Sequence, residues 1–159
     1  MQNLKDIPCL ILGIGNILWA DEGFGVRVVE AFNDKYAFTD PNNVIADGGT
    51  LGMYLYDRIC RAEKLLIFDC CDFKGKPGEL RVLRNDDVKL WTSTKISPHQ
   101  TGMNDLLVAA AVRGAVPKEI AVVGFQPILL DDYGGSLSPE AKANIDEAVR
   151  DGYEIVRGW

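Results

Sequence analysis

Cys9-Leu10-Ile11-Leu12-Gly13-Ile14, then Gly15-Asn16, then Asp21-Glu22-Gly23-Phe24-Gly25 opening a helical period to Tyr36, is the stretch that decides the fold. An apolar run without alternation predicts a strand covered on both faces, which is the habit of parallel sheets flanked by helices. Glycines end it. From Phe24 to Tyr36 the period changes: Val28, Val29, Phe32 and Tyr36 recur at helical spacing, with Arg27, Glu30 and Asp34 on the other side. Outward from this unit the pattern repeats. Val44 to Asp47 predicts a second strand ending in a Gly48-Gly49 turn, and 51–61 a helix with Leu51, Leu55 and Ile59 on one stripe. Lys64 to Asp69 predicts a third strand, apolar until its last residue. Gly78 to Arg84 alternates like a half-exposed edge strand after the Lys76-Pro77-Gly78 turn. Residues 86–100 carry no period and are expected as loop, 102–113 as helix, and Glu119 to Gly124 as a buried strand. Ser138-Pro139-Glu140 opens a last helix with Ser as cap. Strands alternating with helices predict an α/β fold, a three-layer sandwich with a mostly parallel twisted sheet between helices, as one domain over 1–159.

Bulk properties narrow the function classes. A chain of 159 residues buries about 68–70% of its unfolded surface and folds without a disulfide or structural metal. A net charge of −6 excludes a nucleic-acid binder, which needs clustered Lys and Arg. The four cysteines, Cys9, Cys60, Cys70 and Cys71, make no Cys-x-x-Cys pair and so neither a zinc knuckle nor a dithiol redox site. Reduced thiols and an N-terminus unlike a signal peptide predict a cytoplasmic protein. The apolar run from Cys9 to Ala20 is broken by Gly13, Gly15 and Asn16 and is too short to span a membrane. Without a coiled-coil pattern or a clear pairing edge, a monomer is expected.

In open α/β sheets, sites form beyond the C-terminal ends of the strands. That directs attention to 13–25, 47–50, 69–72 and 125–127. Gly13-Ile14-Gly15 invites a dinucleotide reading, but Leu18 stands where the third glycine is required and two acids follow. No nucleotide is expected. Asp21 and Glu22 precede a helix and read equally as caps or as a site; the flanking glycines suit a backbone bent to aim a side chain. Asp69 ends an apolar strand, where a carboxylate bonds turn amides or finds a partner. Asp47 holds the matching place after the second strand. His99 is the only histidine; any imidazole chemistry falls to it. Together Glu22, Asp69 and His99 offer two oxygen donors and one nitrogen donor, a set suited to a borderline divalent ion such as nickel or zinc.

These motifs resemble those of the maturation endopeptidases of nickel-iron hydrogenases. The resemblance runs almost end to end: Gly13 to Arg27 with its Gly-x-Gly-Asn and Asp-Glu-Gly-x-Gly-Val parts, Asp47-Gly48-Gly49-Thr50, Leu66 to Asp69, His99-Gln100 and Gly124 to Pro127. Leu130 to Ser138 looks like the branch serving membrane-bound uptake hydrogenases. The resemblance implies a twisted sheet between helices, metal-binding residues at Glu22, Asp69 and His99, and nickel supplied by the substrate. It implies as partner a hydrogenase large-subunit precursor, whose C-terminal extension is removed once nickel is in place. Either the metal activates the scissile bond or an Asp acts as general base; Asp47 is the candidate outside the metal trio. A non-enzymatic nickel-dependent chaperone for the same precursor, and a thiol hydrolase using Cys70 or Cys71 with His99, are the competing readings.

Overall fold

The computed structural model describes residues 5–37, 39–50, 52–88 and 98–159, and the side chains of 98–102 lie outside that description. The described residues build a five-stranded sheet in the order β2-β1-β3-β5-β4. The strands are β1 (Ile7–Ile14), β2 (Asn43–Gly49), β3 (Ala62–Cys70), β4 (Leu80–Arg84) and β5 (Glu119–Phe125). All neighbours are parallel except β4, which runs antiparallel to β5 at the edge. The helices are α1 (Phe24–Tyr36), α2 (Tyr56–Arg61), α3 (Pro98–Val112), α4 (Pro139–Ala143) and α5 (Ile145–Gly158).

The unbroken apolar runs take the centre of the sheet for the reason expected. Leu10, Ile11 and Leu12 in β1 and Leu65 to Phe68 in β3 are wholly buried, because helices cover both faces. Alternate residues divide between two clusters. Ile11, Leu66 and Phe68 pack with Phe24, Val28, Phe32, Ala148 and Ile155 on the α1 and α5 side. Leu10, Leu12, Leu65 and Ile67 pack with Ile59, Met103, Leu106 and Ala110 on the α2 and α3 side. Each such side chain contributes about 1.5–3 kcal/mol on burial.

Several boundaries differ from the sequence expectation. Gly48 and Gly49 are not a turn: β2 runs through them, with a register shift against β1 at Gly13/Ile14. The expected helix at 51–61 is a 3₁₀ turn over Gly52–Leu55 followed by α2. The last helix divides at Asn144 into α4 and α5, and Ser138 caps the start of α4 by accepting from the Ala141 amide. His99 was expected in a loop; its backbone lies in the first turn of α3, which starts at Pro98 rather than near 102. Pro is well placed in that first turn, where its missing N–H costs nothing. No helix among the described residues is long and apolar enough to cross a membrane.

Candidate functional site

Parallel strands that end together present their C-terminal edges as a row, and the candidates stand along it. Gly13 of β1 is flanked by Asp47 of β2 on one side and Phe68 of β3 on the other. One step further along β3, Asp69 pairs with Gly124 of β5.

The loop leaving β1 is held by its own backbone. The Gly15 amide donates to Gly49 O (3.1 Å), the Asn16 amide to Glu22 O (3.1 Å) and the Glu22 amide to Trp19 O (2.9 Å). A Cβ on Gly15 would lie 1.9 Å from that same Glu22 carbonyl, and Gly15 has φ +144; only glycine lets the loop close this way. Ala20 is also left-handed, at φ 43, which a non-glycine residue adopts at a cost of about 1–3 kcal/mol. Gly25, in the first turn of α1, would place a Cβ 2.2 Å from Phe68 O and 2.3 Å from Ile14 O. The helix start is thereby wedged against the ends of β1 and β3.

That wedge sets the turn carrying Glu22 beside the end of β3. Glu22 is half-buried, and burial raises its pKa. Asp69 is wholly buried, with Oδ1 accepting from the Cys70 amide at 2.8 Å. Burial first, then the charges of Asp69, Cys71, Asp21 and Glu22, push the Cys70 thiol well above the ordinary thiol range. A thiol so placed stays protonated, and Cys70 and Cys71 are both buried. That is the opposite of an activated nucleophile.

His99 is in the first turn of α3, four residues before the buried Met103, and its side chain lies outside the described residues. Among the described residues no three metal-ligating side chains converge. The described part of the trio is therefore a pair of carboxylates from two different elements, one wholly buried and one half-buried. Such a donor pair fits a divalent cation, whose charge offsets the cost of keeping both ionised.

Asp47 stands apart from this pair. It is exposed at the end of β2, in the row of Gly13 and Phe68. Strand alternation gives that row the α1 face, whereas Asp69 belongs to the next row and the opposite face.

Two polar residues hold the neighbouring loops, and sequence reading missed both roles. Asp21 does not cap α1: its cap is Gly23 and receives no side-chain bond. Asp21 is wholly buried, and its carboxylate accepts from the amides of Ile128, Leu129 and Ser138 and from Ser138 Oγ, at 2.8–3.0 Å. Gln126 accepts at Oε1 from the amides of Phe73 (3.1 Å) and Gly75 (3.2 Å) and donates to Asp72 Oδ1 (3.2 Å), so it ties down the loop after β3. A polar residue between the apolar end of β5 and Pro127 was the available signal for Gln126. Asp21 gave none beyond its place beside Glu22, because its partners lie more than 100 residues away.

Beyond these hubs is an apolar rim. Trp19 bridges Tyr133 in an antiparallel pair, with ring centroids 5.0 Å apart in edge-to-face contact. Ile17, Leu18, Ile128 and Leu129 are exposed beside them, as are Met53 and Tyr54 beyond β2. Trp19 and Met53 thus offer apolar surface to solvent. Phe125 is core, stacked on Phe24 at 4.6 Å.

Comparison with known proteins adds to this geometry. A profile described as hydrogenase maturation protease matches residues 26–155. The hydrogenase expression/formation protein HupD of Bradyrhizobium diazoefficiens is 43% identical over 156 residues, covering 98% of this chain and 81% of HupD. The hydrogenase 2 maturation protease of Escherichia coli is 40% identical over 141 residues, covering 88% of this chain and 85% of that one. The solved structure of the hydrogenase maturating endopeptidase HybD from E. coli superposes with a TM-score of 0.86 at 35% identity, covering 95% of this chain and 93% of that one.

Proposed function

We propose, because the chain belongs to the hydrogenase maturation protease family, that it removes the C-terminal extension of a nickel-loaded hydrogenase large-subunit precursor. The chain is a hydrolase, a protease of hydrogenase maturation. The finer reading concerns how it knows its substrate. Nickel arrives as part of the precursor, and Glu22, Asp69 and His99 are the residues that meet it.

The observation that carries this reading is where the two acids stand: Asp69 is wholly buried at the end of β3, and Glu22 is half-buried in the turn whose helix start is wedged against the ends of β1 and β3. Carboxylates withdrawn from water gain from an incoming cation, and a precursor without metal offers none. Differential binding of loaded and empty precursor is then the physical content of a check on loading. The imidazole of His99 adds the nitrogen donor that favours nickel over calcium or magnesium.

Asp47 is the general base in this proposal. Exposed at the end of β2, it takes a proton from water; the hydroxyl attacks the scissile carbonyl carbon. The C–N bond then breaks, and the departing amine takes the proton back from Asp47. The substrate-held nickel fixes the peptide in place.

The test is the intact mass of a nickel-loaded precursor incubated with wild type, Glu22→Gln and His99→Ala, beside a nickel-free precursor. Loss of a C-terminal peptide only with wild type and nickel is expected. Cleavage of the nickel-free precursor at the same rate would overturn nickel recognition.

A further inference from the structure

Asp21 is adjacent to Glu22 but wholly buried. Its carboxylate is the anchor of a long connection from β5 to α4. Oδ2 accepts from the amides of Ile128 and Leu129 and from Ser138 Oγ, each at 3.0 Å, while Oδ1 accepts from the Ser138 amide at 2.8 Å. The backbone joins in: the Asp21 amide donates to Leu129 O (2.9 Å), and the Gly134 amide to Leu18 O (2.7 Å). Ser138 Oγ in turn accepts from the Ala141 amide at 3.2 Å. A continuous chain of bonds thus runs from the start of α4 through Ser138 and Asp21 to the turn that carries Glu22.

This anchor holds a connection that hydrophobic burial secures poorly. Leu130 packs partly against the core and Leu137 is buried, but Ile128 and Leu129 are 43% and 38% exposed, and Tyr133 is 67% exposed against Trp19. Four large apolar side chains kept together in water mark a contact surface more than a core. A buried carboxylate is a costly way to fasten a loop for stability alone, since well-packed apolar residues do as well or better. It does, however, fix two segments to each other with little freedom.

We propose that Asp21 is the positioning residue of this site: by tying Ile128, Leu129 and Ser138 to the turn at 20–23, it sets both the aim of Glu22 and the stance of the rim formed by Trp19, Ile128, Leu129 and Tyr133, against which the precursor docks. The proposal rests on the reading of Glu22 as a substrate-contacting acid. Charge and acceptor count are both needed. A carboxylate only accepts, so it satisfies all of these donors; an amide must turn its NH₂ toward at least one of them.

Asp21→Asn is therefore the informative variant, with nickel-loaded precursor as substrate and hydrogen exchange read by mass spectrometry. Faster exchange confined to 127–138 is expected, with KM raised about 10-fold and kcat nearly unchanged. Ser138→Ala, which removes one donor to Asp21 and with it the cap of α4, gives the same KM pattern in milder form, with faster exchange reaching into the first turn of α4, and serves if Asp21→Asn does not fold. Faster exchange at 127–138 with KM unchanged would overturn the proposal, leaving a structural tether. So would a loss confined to kcat. If wild type itself does not cleave the loaded precursor, the proposed function fails, not this coupling; normal kinetics in both variants with an active wild type would sink the coupling alone.

Discussion

Glu22 pays for its position in water, and that cost gives it a pH signature. Burial raises its pKa above the ordinary glutamate range, so the folded protein holds the proton more tightly than the unfolded chain. Between the two pKa values stability falls as pH rises, and the penalty persists at neutral pH. Glu22→Gln removes it. We expect that variant to melt no lower than wild type at pH 7 while losing more than about 100-fold in cleavage, measured by calorimetry beside the precursor assay. Binding of loaded precursor by wild type should weaken as pH falls through the raised pKa of Glu22, an acid limb lying above the usual glutamate value and missing from Glu22→Gln. Asp47 behaves differently because it is exposed and outside the carboxylate pair. Asp47→Asn should lower kcat by about 10²–10⁴-fold and leave precursor binding intact; normal turnover would remove Asp47 as the base. Glu22 and Asp69 were legible as candidates because a carboxylate after glycines or at the end of an apolar strand is out of place locally. Asp21 looked the same and is not the same, since what separates it from Glu22 is a set of donors supplied by residues 128–138.

Elements were legible where one period ran long enough to be unambiguous. The strands β1, β3 and β5 and the helix α1 are where the apolar patterns put them, since burial on two faces or one is what those patterns encode. The reading slipped where local chemistry has two solutions. Gly48-Gly49 suits a turn, yet pairing with β1 keeps it extended, and a shift in register absorbs the difference. The start of α3 carries Pro, His and Gln rather than an apolar stripe, so its first turn had no period to show. The junction of α1 with the sheet makes a firm prediction. Any side chain at Gly25 meets backbone carbonyls from two strands at once, at 2.2 and 2.3 Å, and backbone cannot step aside as a side-chain tip can. Gly25→Ala should cost more than about 3 kcal/mol, read from denaturant unfolding, and abolish cleavage along with stability. A loss under 1 kcal/mol would mean that the junction is loose.

Across the described residues order is distributed unevenly, and the proposed site sits at the loose end. The centre of the sheet, Leu10 to Leu12 and Leu65 to Phe68, is wholly buried, while the loops at its C-terminal edge expose apolar side chains and rely on single polar anchors. We expect amides of β1 and β3 to exchange only by global opening and those of 127–137 by a cheaper local route; equal protection of both would refute that gradient. The thiols belong to the protected part. Cys70→Ala with Cys71→Ala should keep cleavage, and native protein should resist iodoacetamide, because the Cys70 thiol is buried and its pKa is raised; loss of activity in a folded variant would revive a thiol mechanism. The close approach of Gly15 to the carbonyl of Glu22 carries a lesson for engineers. Glu22 is aimed by main-chain atoms of the loop between β1 and α1, and no rotamer choice on a foreign scaffold reproduces that. Anyone transplanting the proposed recognition site should move strand, loop and helix start as one cassette, together with the distant segment that Asp21 grips.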